Sequence, residues 1–356
     1  MSSVTMATTA PTLERYEFWL NHIQMFVSTA REATGVIKRL YDKLSTSLGT
    51  GKVTVDLDVR SCIEELGKSL KSIVDKAESI SKLITEVRNK SNEVAKLIVD
   101  NLLLYGEYRG RKLSEEEYRK LISERSRELY YAITGKWAEP YFEELYTRLT
   151  QVRQRLMQIA DIVVAVGVQD VYDRVTEVYR VIGNICLLLM KASLWLVDRH
   201  VHTLYPIRYV KNLALKIRTF ADAATKYLES NTESEVSYID HIVDESYRLL
   251  LDMSIGLVMM SDVVENLPLR DDEKNHLASM ITEAFIEIRD LRRSIIRTPL
   301  LLRKYTQVFN VFEFVKADTY PIEELLDILQ KNLEKALQDL EEEKKKALEK
   351  KPQVKA

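Results

Sequence analysis

The stretch VRSCIEELGKSLKSIVDKAESISKLITEVRNKSNEVAKLIVDNLLLY, Val59 to Tyr105, decides the fold. Its apolar residues run from Val59 through Ile63, Leu66, Leu70, Ile73, Ala77, Ile80, Ile84 and Val87 to Val94 and Ile98, always three or four residues apart. Only Ser91 interrupts the series, and Asn101 ends it. A mean step of 3.5 residues keeps an apolar seam on one side of a helix that wraps around a partner. Such a helix would be about 70 Å long, far longer than the usual globular one. Lys68, Lys71, Glu78, Lys82 and Glu86 lie off the seam, as a solvated face requires.

The rest of the chain must supply a cover for that seam. Between Leu13 and Leu48 a second series (Leu13, Tyr16, Leu20, Ile23, Val27, Ala30, Ile37, Tyr41, Leu44, Leu48) repeats the same steps. Two successive seams with a short connection predict an antiparallel coiled-coil hairpin. The connection contains Lys52 to Val59, the one run in the chain that alternates polar and apolar faultlessly. It is read first as an extended entry to the helix, capped by Asp56 or Asp58. The alternative is a strand in which Val53, Val55, Leu57 and Val59 pair with another copy of the chain.

Composition agrees with long helices. The chain has 356 residues, 46% hydrophobic and 30% charged, with only 10 Gly and 7 Pro. Those turn-formers are too few for a sandwich, barrel or alternating strand–helix fold of this length. A net charge of -2 gives no global pull toward a polyanion. The two cysteines, Cys62 and Cys186, lie in helical patterns far apart and read as small core residues in a reducing compartment. The first twelve residues lack the basic and apolar regions of a signal peptide. The most apolar runs, Val181 to Val197 and Leu249 to Val264, are interrupted by polar residues and read as buried bundle helices rather than membrane spans. A soluble, cytoplasmic protein is expected, and high charge with modest Asn and Gln use is compatible with a thermophilic source.

Farther along, Ser114 and Glu117 have capping-box spacing at a helix start, and Gly167 to Asp170 reads as a turn where the seam slips phase. Pro206 reads as a break, Asp271 or Asp272 as a helix cap, and Pro299 and Pro321 as the limits of a short Phe-rich helix. Beyond Leu340 the Glu and Lys runs offer intrahelical pairs but no apolar face, so the end is expected to be exposed. The predicted class is all-α: an elongated multi-helix bundle with the N-terminal hairpin. Its parts are a disordered 1–11, the hairpin over 12–105, an antiparallel bundle over 114–298, further helices over 299–340 and a charged tail over 341–356.

Few constellations carry chemistry. Arg270-Asp-Asp-Glu-Lys-Asn-His276 places Arg and His five residues apart. The pair resembles the Arg-x(4–6)-His signature of the HEPN ribonucleases, also all-helical. There His serves in proton transfer and Arg stabilises phosphate charge, which would make Arg270 and His276 catalytic here. The position after Arg, Asp271, departs from the Asn common in that family. The preferred reading of the segment is a helix start with acidic residues in its first turn. Glu273 and His276 form half of a di-iron carboxylate motif, but no second half exists, so neither a metal nor a cofactor is expected. Phosphate-loop, dinucleotide and nucleophile-elbow motifs are missing from the sequence.

A basic stripe, Arg289, Arg292, Arg293 and Arg297, could bind an anionic partner, and Arg208, Lys211 and Arg218 form a second. The preferred reading is a solvated face paired with acids such as Asp240, Asp244 and Glu245. The expectation is therefore a non-enzymatic structural or protein-interaction protein with protein partners, including copies of itself. The alternative is a nucleic-acid-directed protein, either a ribonuclease using Arg270 and His276 or a binder using the stripe.

Overall fold

The computed structural model describes residues 15–45, 48, 59–103, 107–108, 110–130, 132–133, 136–196, 200–230, 236–307 and 310–349. Among them stand ten helices and one short ribbon, an all-α multi-helix bundle. The helices are α1 (Tyr16–Ser45), α2 (Val59–Leu102), α3 (Glu115–Tyr130), α4 (Lys136–Val166), α5 (Gln169–Leu196), α6 (His200–Ser230), α7 (Val236–Glu265), α8 (Asp271–Ile296), α9 (Pro299–Gln307) and α10 (Asn310–Glu349). The ribbon pairs β1 (Glu107–Tyr108) with β2 (Arg111–Lys112). The alternating segment carrying Val53, Val55 and Leu57 lies outside the described residues, and Val59 opens α2.

The chain forms two compact units. The first draws on Met1–Leu66, Thr150–Gly183 and Arg199–Val315. At its centre is α7, packed antiparallel to α6: Lys216 pairs with Glu245 near one end, and Gly256 meets Val210 farther along. Helix α8 returns along α7, so that Lys274 bonds the carbonyl of Glu265 near the turn. Helix α1 then lies on this sheet of helices, parallel to both α6 and α8. Glu32 and Lys43 pair with Arg218 and Glu229 of α6, and Arg31 and Tyr41 with Glu287 and Ser294 of α8.

This packing widens the buried stripe of α1 beyond the seam expected on it: Ile23, Val27, Ala30, Ile37 and Leu44 are buried as expected, and residues beside them are buried too. Trp19, Phe26 and Leu40 are buried, whereas Leu20 and Tyr41 are only half-buried. Three neighbours (α6, α7 and α8) cover a wider face than one partner would. The described contacts of α1 thus lead to those helices, and they do not show the hairpin with α2.

The second unit draws on Gly67–Leu149, Asn184–Asp198 and Lys316–Ala356. Here α2 and α10 run parallel. Lys76 pairs with Asp327, Lys90 with Glu341 and Glu93 with Lys344, each pair 251 residues apart in sequence (327 − 76, 341 − 90, 344 − 93). The buried positions repeat the same spacing on both helices, Ile73, Ala77, Ile80, Ile84 and Val87 on α2 and Ile322, Leu326, Leu329, Leu333 and Ala336 on α10. Ser91 does not break the seam. It is fully buried, and its hydroxyl donates to the Val87 carbonyl at 2.8 Å.

The charged end beyond Leu340 is exposed at most positions, as expected, but it is ordered as helix and carries one buried residue. Helix α10 continues to Glu349, Ala347 is buried seven residues after buried Leu340, and Asn101 donates to the Ala347 carbonyl at 2.6 Å. An alanine among glutamates and lysines is enough to extend a seam when the charges pair across it.

Two expectations are corrected. Pro206 lies inside α6 and is itself buried; it forfeits one backbone bond, which the packed Ile207, Val210 and Ala214 outweigh. Pro321 likewise lies inside α10. The break between α2 and α3 holds the ribbon, with Gly110 at φ 80° in its turn. Gly167, also at φ 80°, ends α4 and makes the expected turn.

The start of α3 is the capping box read from sequence. Ser114 Oγ accepts from the Glu117 N–H at 3.2 Å, and the Glu117 carboxylate accepts from the Ser114 N–H at 2.9 Å. Ser114→Ala should therefore cost about 0.5–2 kcal/mol in urea unfolding of the helix it opens. Tyr118, one turn on, donates its hydroxyl to Asp100 at 2.6 Å. That bond, then burial and the Asp100 charge, push the phenol up to about 12 from 10.0. A raised folded pKa means the contribution is whole below pH 10 and is lost as pH rises toward about 12. Tyr118→Phe should flatten that part of the alkaline stability profile; an unchanged slope would refute the contact.

Candidate functional site

The polar interior of the first unit is built on one face of α4. Arg153, Met157 and Asp161 recur every four residues and are buried. They point at α7 and α8, where a charge must find its counter-charge or stay ionised at great cost. Arg153 bonds Asp262 of α7 through two nitrogens, at 2.6 and 3.4 Å, with its guanidinium 5.4 Å from the centre of the Tyr179 ring.

Asp161 is the deeper hub. Its Oδ2 accepts from Arg292 Nε and from the Tyr247 hydroxyl at 3.2 Å, and its Oδ1 from Arg292 Nη2 and Arg293 Nε, both at 3.3 Å. Arg292 Nη1 donates to Ser254 Oγ at 2.7 Å, and Ser254 in turn donates to the Leu250 carbonyl. Arg293 also reaches the Tyr172 hydroxyl at 3.2 Å. Burial, with the Asp161 charge second, holds the Tyr247 phenol well above its ordinary 10.0, so it stays a donor.

A second hub stands farther along α7. Buried Asp244 accepts from Tyr305 at 2.5 Å and Lys304 at 2.8 Å, both on α9, and pairs with Arg248 at 3.1 Å. Burial is also the main cause that raises the Tyr305 phenol. The arrangement ties the nine-residue α9 to α7 by charge as well as by apolar contact.

The residues singled out in the sequence take these places. The basic stripe is divided between surface and core. Arg292 is only 2% exposed, Arg293 is half-buried on Asp161, Arg289 pairs with Asp290, and Arg297 stands exposed at the end of α8. Leu291 is only half-buried, and Arg292 takes the buried position, four after Ile288 and three before Ile295. Its spacing was the available signal, and Asp161 was not read as its partner. In the second stripe, Arg208, Lys211 and Arg218 are exposed on α6.

Arg270 and His276 are not joined. Arg270 immediately precedes α8, its amide donates to Glu273 Oε2 at 3.0 Å, and its guanidinium pairs with Asp272 and Glu273. His276 Nδ1 lies 2.7 Å from the Tyr16 hydroxyl of α1. Arg270 itself, rather than an aspartate, occupies the cap position, because Glu273 reaches back to its amide. Among the described residues, no group of three or more His, Cys, Asp or Glu is gathered as a metal site, and no helix is long and apolar enough to cross a membrane.

Fold and interior together define an all-helical protein with buried Arg–Asp ties. No family model, curated protein or solved structure matches the chain.

Proposed function

We infer that the chain is a non-enzymatic structural or protein-interaction protein, a helical scaffold that works through seam packing and self-association. The observation that carries this reading is the use of Arg292. The centre of the stripe that an anionic partner would need is turned inward and held by Asp161, Ser254 and Met157. Arg270 and His276 likewise serve a helix start and an interhelix contact. Among the described residues, ion pairs fasten helix to helix, as in the three α2–α10 pairs.

Light scattering on the purified chain is the test. A mass that is a multiple of one chain, unchanged by ribonuclease and by added RNA, is the expected result. A monomer that cleaves RNA without metal, with cleavage lost in His276→Ala, would replace this reading by the ribonuclease one. Salt-dependent RNA binding that is lost in Arg297→Glu would favour the binder.

A further inference from the structure

The first unit also contains a polar cavity of about 520 Å³ between α4, α6, α7 and α9. That volume is within the range of small-molecule sites, about 300–1,000 Å³. Four basic side chains line it: Arg155 from α4, Lys216 from α6, Arg248 from α7 and Lys304 from α9. Glu245 and Asp252 also line it, so basic groups outnumber acidic ones four to two. Behind the lining stand Asp244, paired with Lys304 and Arg248, and Asp240 near Lys304, so the basic excess belongs to the lining residues themselves.

One lining residue is out of keeping with a purely structural interior. Gln158 is only 5% exposed, and its Oε1 has no hydrogen-bond partner. A buried acceptor left without a donor is costly, and native proteins keep few of them. Its last side-chain torsion is broad, so the amide can turn to present oxygen or nitrogen to the cavity. Close by in sequence, Gln154 donates to Asp252 at 2.5 Å. Burial, the main cause, raises the Asp252 carboxyl above its usual range. Asp252 therefore favours folding less once ionised: stability falls as pH rises from 3.8 through the raised pKa. Two polar groups that each weaken the fold thus line one cavity with a basic excess, as stability–function trade-offs lead one to expect of a binding site.

We propose that this cavity binds a small organic oxyanion that also carries hydroxyl or amino donors. Its phosphate or carboxylate meets Lys216, Arg248 and Arg155, and a donor group meets Gln158 Oε1 once the buried amide turns it toward the cavity. The basic groups already hold partners, Lys216 on Glu245 at 3.3 Å and Arg248 on Asp244, so the anion joins existing pairs and uses their remaining donors.

Titration calorimetry of the whole chain at low salt tests this, with ribose 5-phosphate and glutamate as the charged probes and ribose and inorganic phosphate as controls. At least one charged probe should bind, ribose should not, and inorganic phosphate should bind more weakly than ribose 5-phosphate. Which charged probe binds distinguishes a phosphate from a carboxylate ligand. Lys216→Met should weaken binding by about tenfold, the loss expected of one charge-assisted bond.

Gln158→Leu separates a site from a structural role. It should also weaken binding by about tenfold while leaving the melting temperature equal or higher, because it removes an unpartnered acceptor. Asp252→Asn should raise the melting temperature at neutral pH. Silence from both charged probes, binding unchanged in Lys216→Met, or a lower melting temperature in Gln158→Leu would each overturn the proposal.

Discussion

Replacing Asp161 with alanine should destabilise the first unit by about 3–5 kcal/mol, the loss seen when one partner of a buried ion pair is removed. The carboxylate is fully buried and accepts from Arg292, Arg293 and Tyr247 together. Without it, Arg292 remains a buried cation whose other bonds, to Ser254 and Met157, carry no counter-charge. Urea unfolding followed by circular dichroism reads the loss. The attraction is offset by desolvation, so removing both charges is a different experiment from removing one. Asp161→Leu combined with Arg292→Met should recover most of the stability lost in the single variant. A single-variant loss below about 1 kcal/mol would mean that water reaches the hub.

Gly256→Ala should lower stability by about 1–3 kcal/mol even though alanine is the better helix former by about 1 kcal/mol. At this crossing of α6 and α7 an added methyl would lie 2.5 Å from Val210 Cγ2 and 3.2 Å from Tyr209 Cδ1. Val210 is fully buried and, being β-branched, has essentially one side-chain rotamer in a helix. The overlap must therefore be relieved by moving a helix. Val210→Ala should partly rescue Gly256→Ala, and the coupling in a double-mutant cycle measures the close approach. Thermal stability equal to wild type in Gly256→Ala would refute it.

What could be read in advance was local. Helix α2 begins at Val59 as the seam spacing requires, Ser114 caps α3, and Gly167 turns the chain between α4 and α5. Each depends on neighbours three or four residues away. What escaped depends on residues far apart in sequence. The 3.5-residue step is common to nearly every helix, so it cannot say that α1 lies on α6 and α8 or that α2 lines up with α10.

The same limit hid the site. Arg292 resembles any surface arginine until Asp161, 131 residues earlier, is placed beside it. Gln158 becomes informative only when a cavity adjoins it. The ribbon at Glu107–Lys112 left no trace because strands of two residues cannot show alternation. Prolines misled in the opposite direction, since Pro206 and Pro321 punctuate a local pattern that tertiary packing carries through.

The parallel seating of α1 has a consequence for synthesis. Its bonds to α8 join residues 252 to 260 positions apart. At translation rates of about 5–20 residues per second, roughly 10–50 s separate the emergence of α1 from that of α8, the last of the three helices that cover it. Throughout that interval Trp19, Ile23 and Phe26, fully or almost fully buried in the finished protein, have no native cover from α8. Helix α1 is therefore seated on α8 long after it is made.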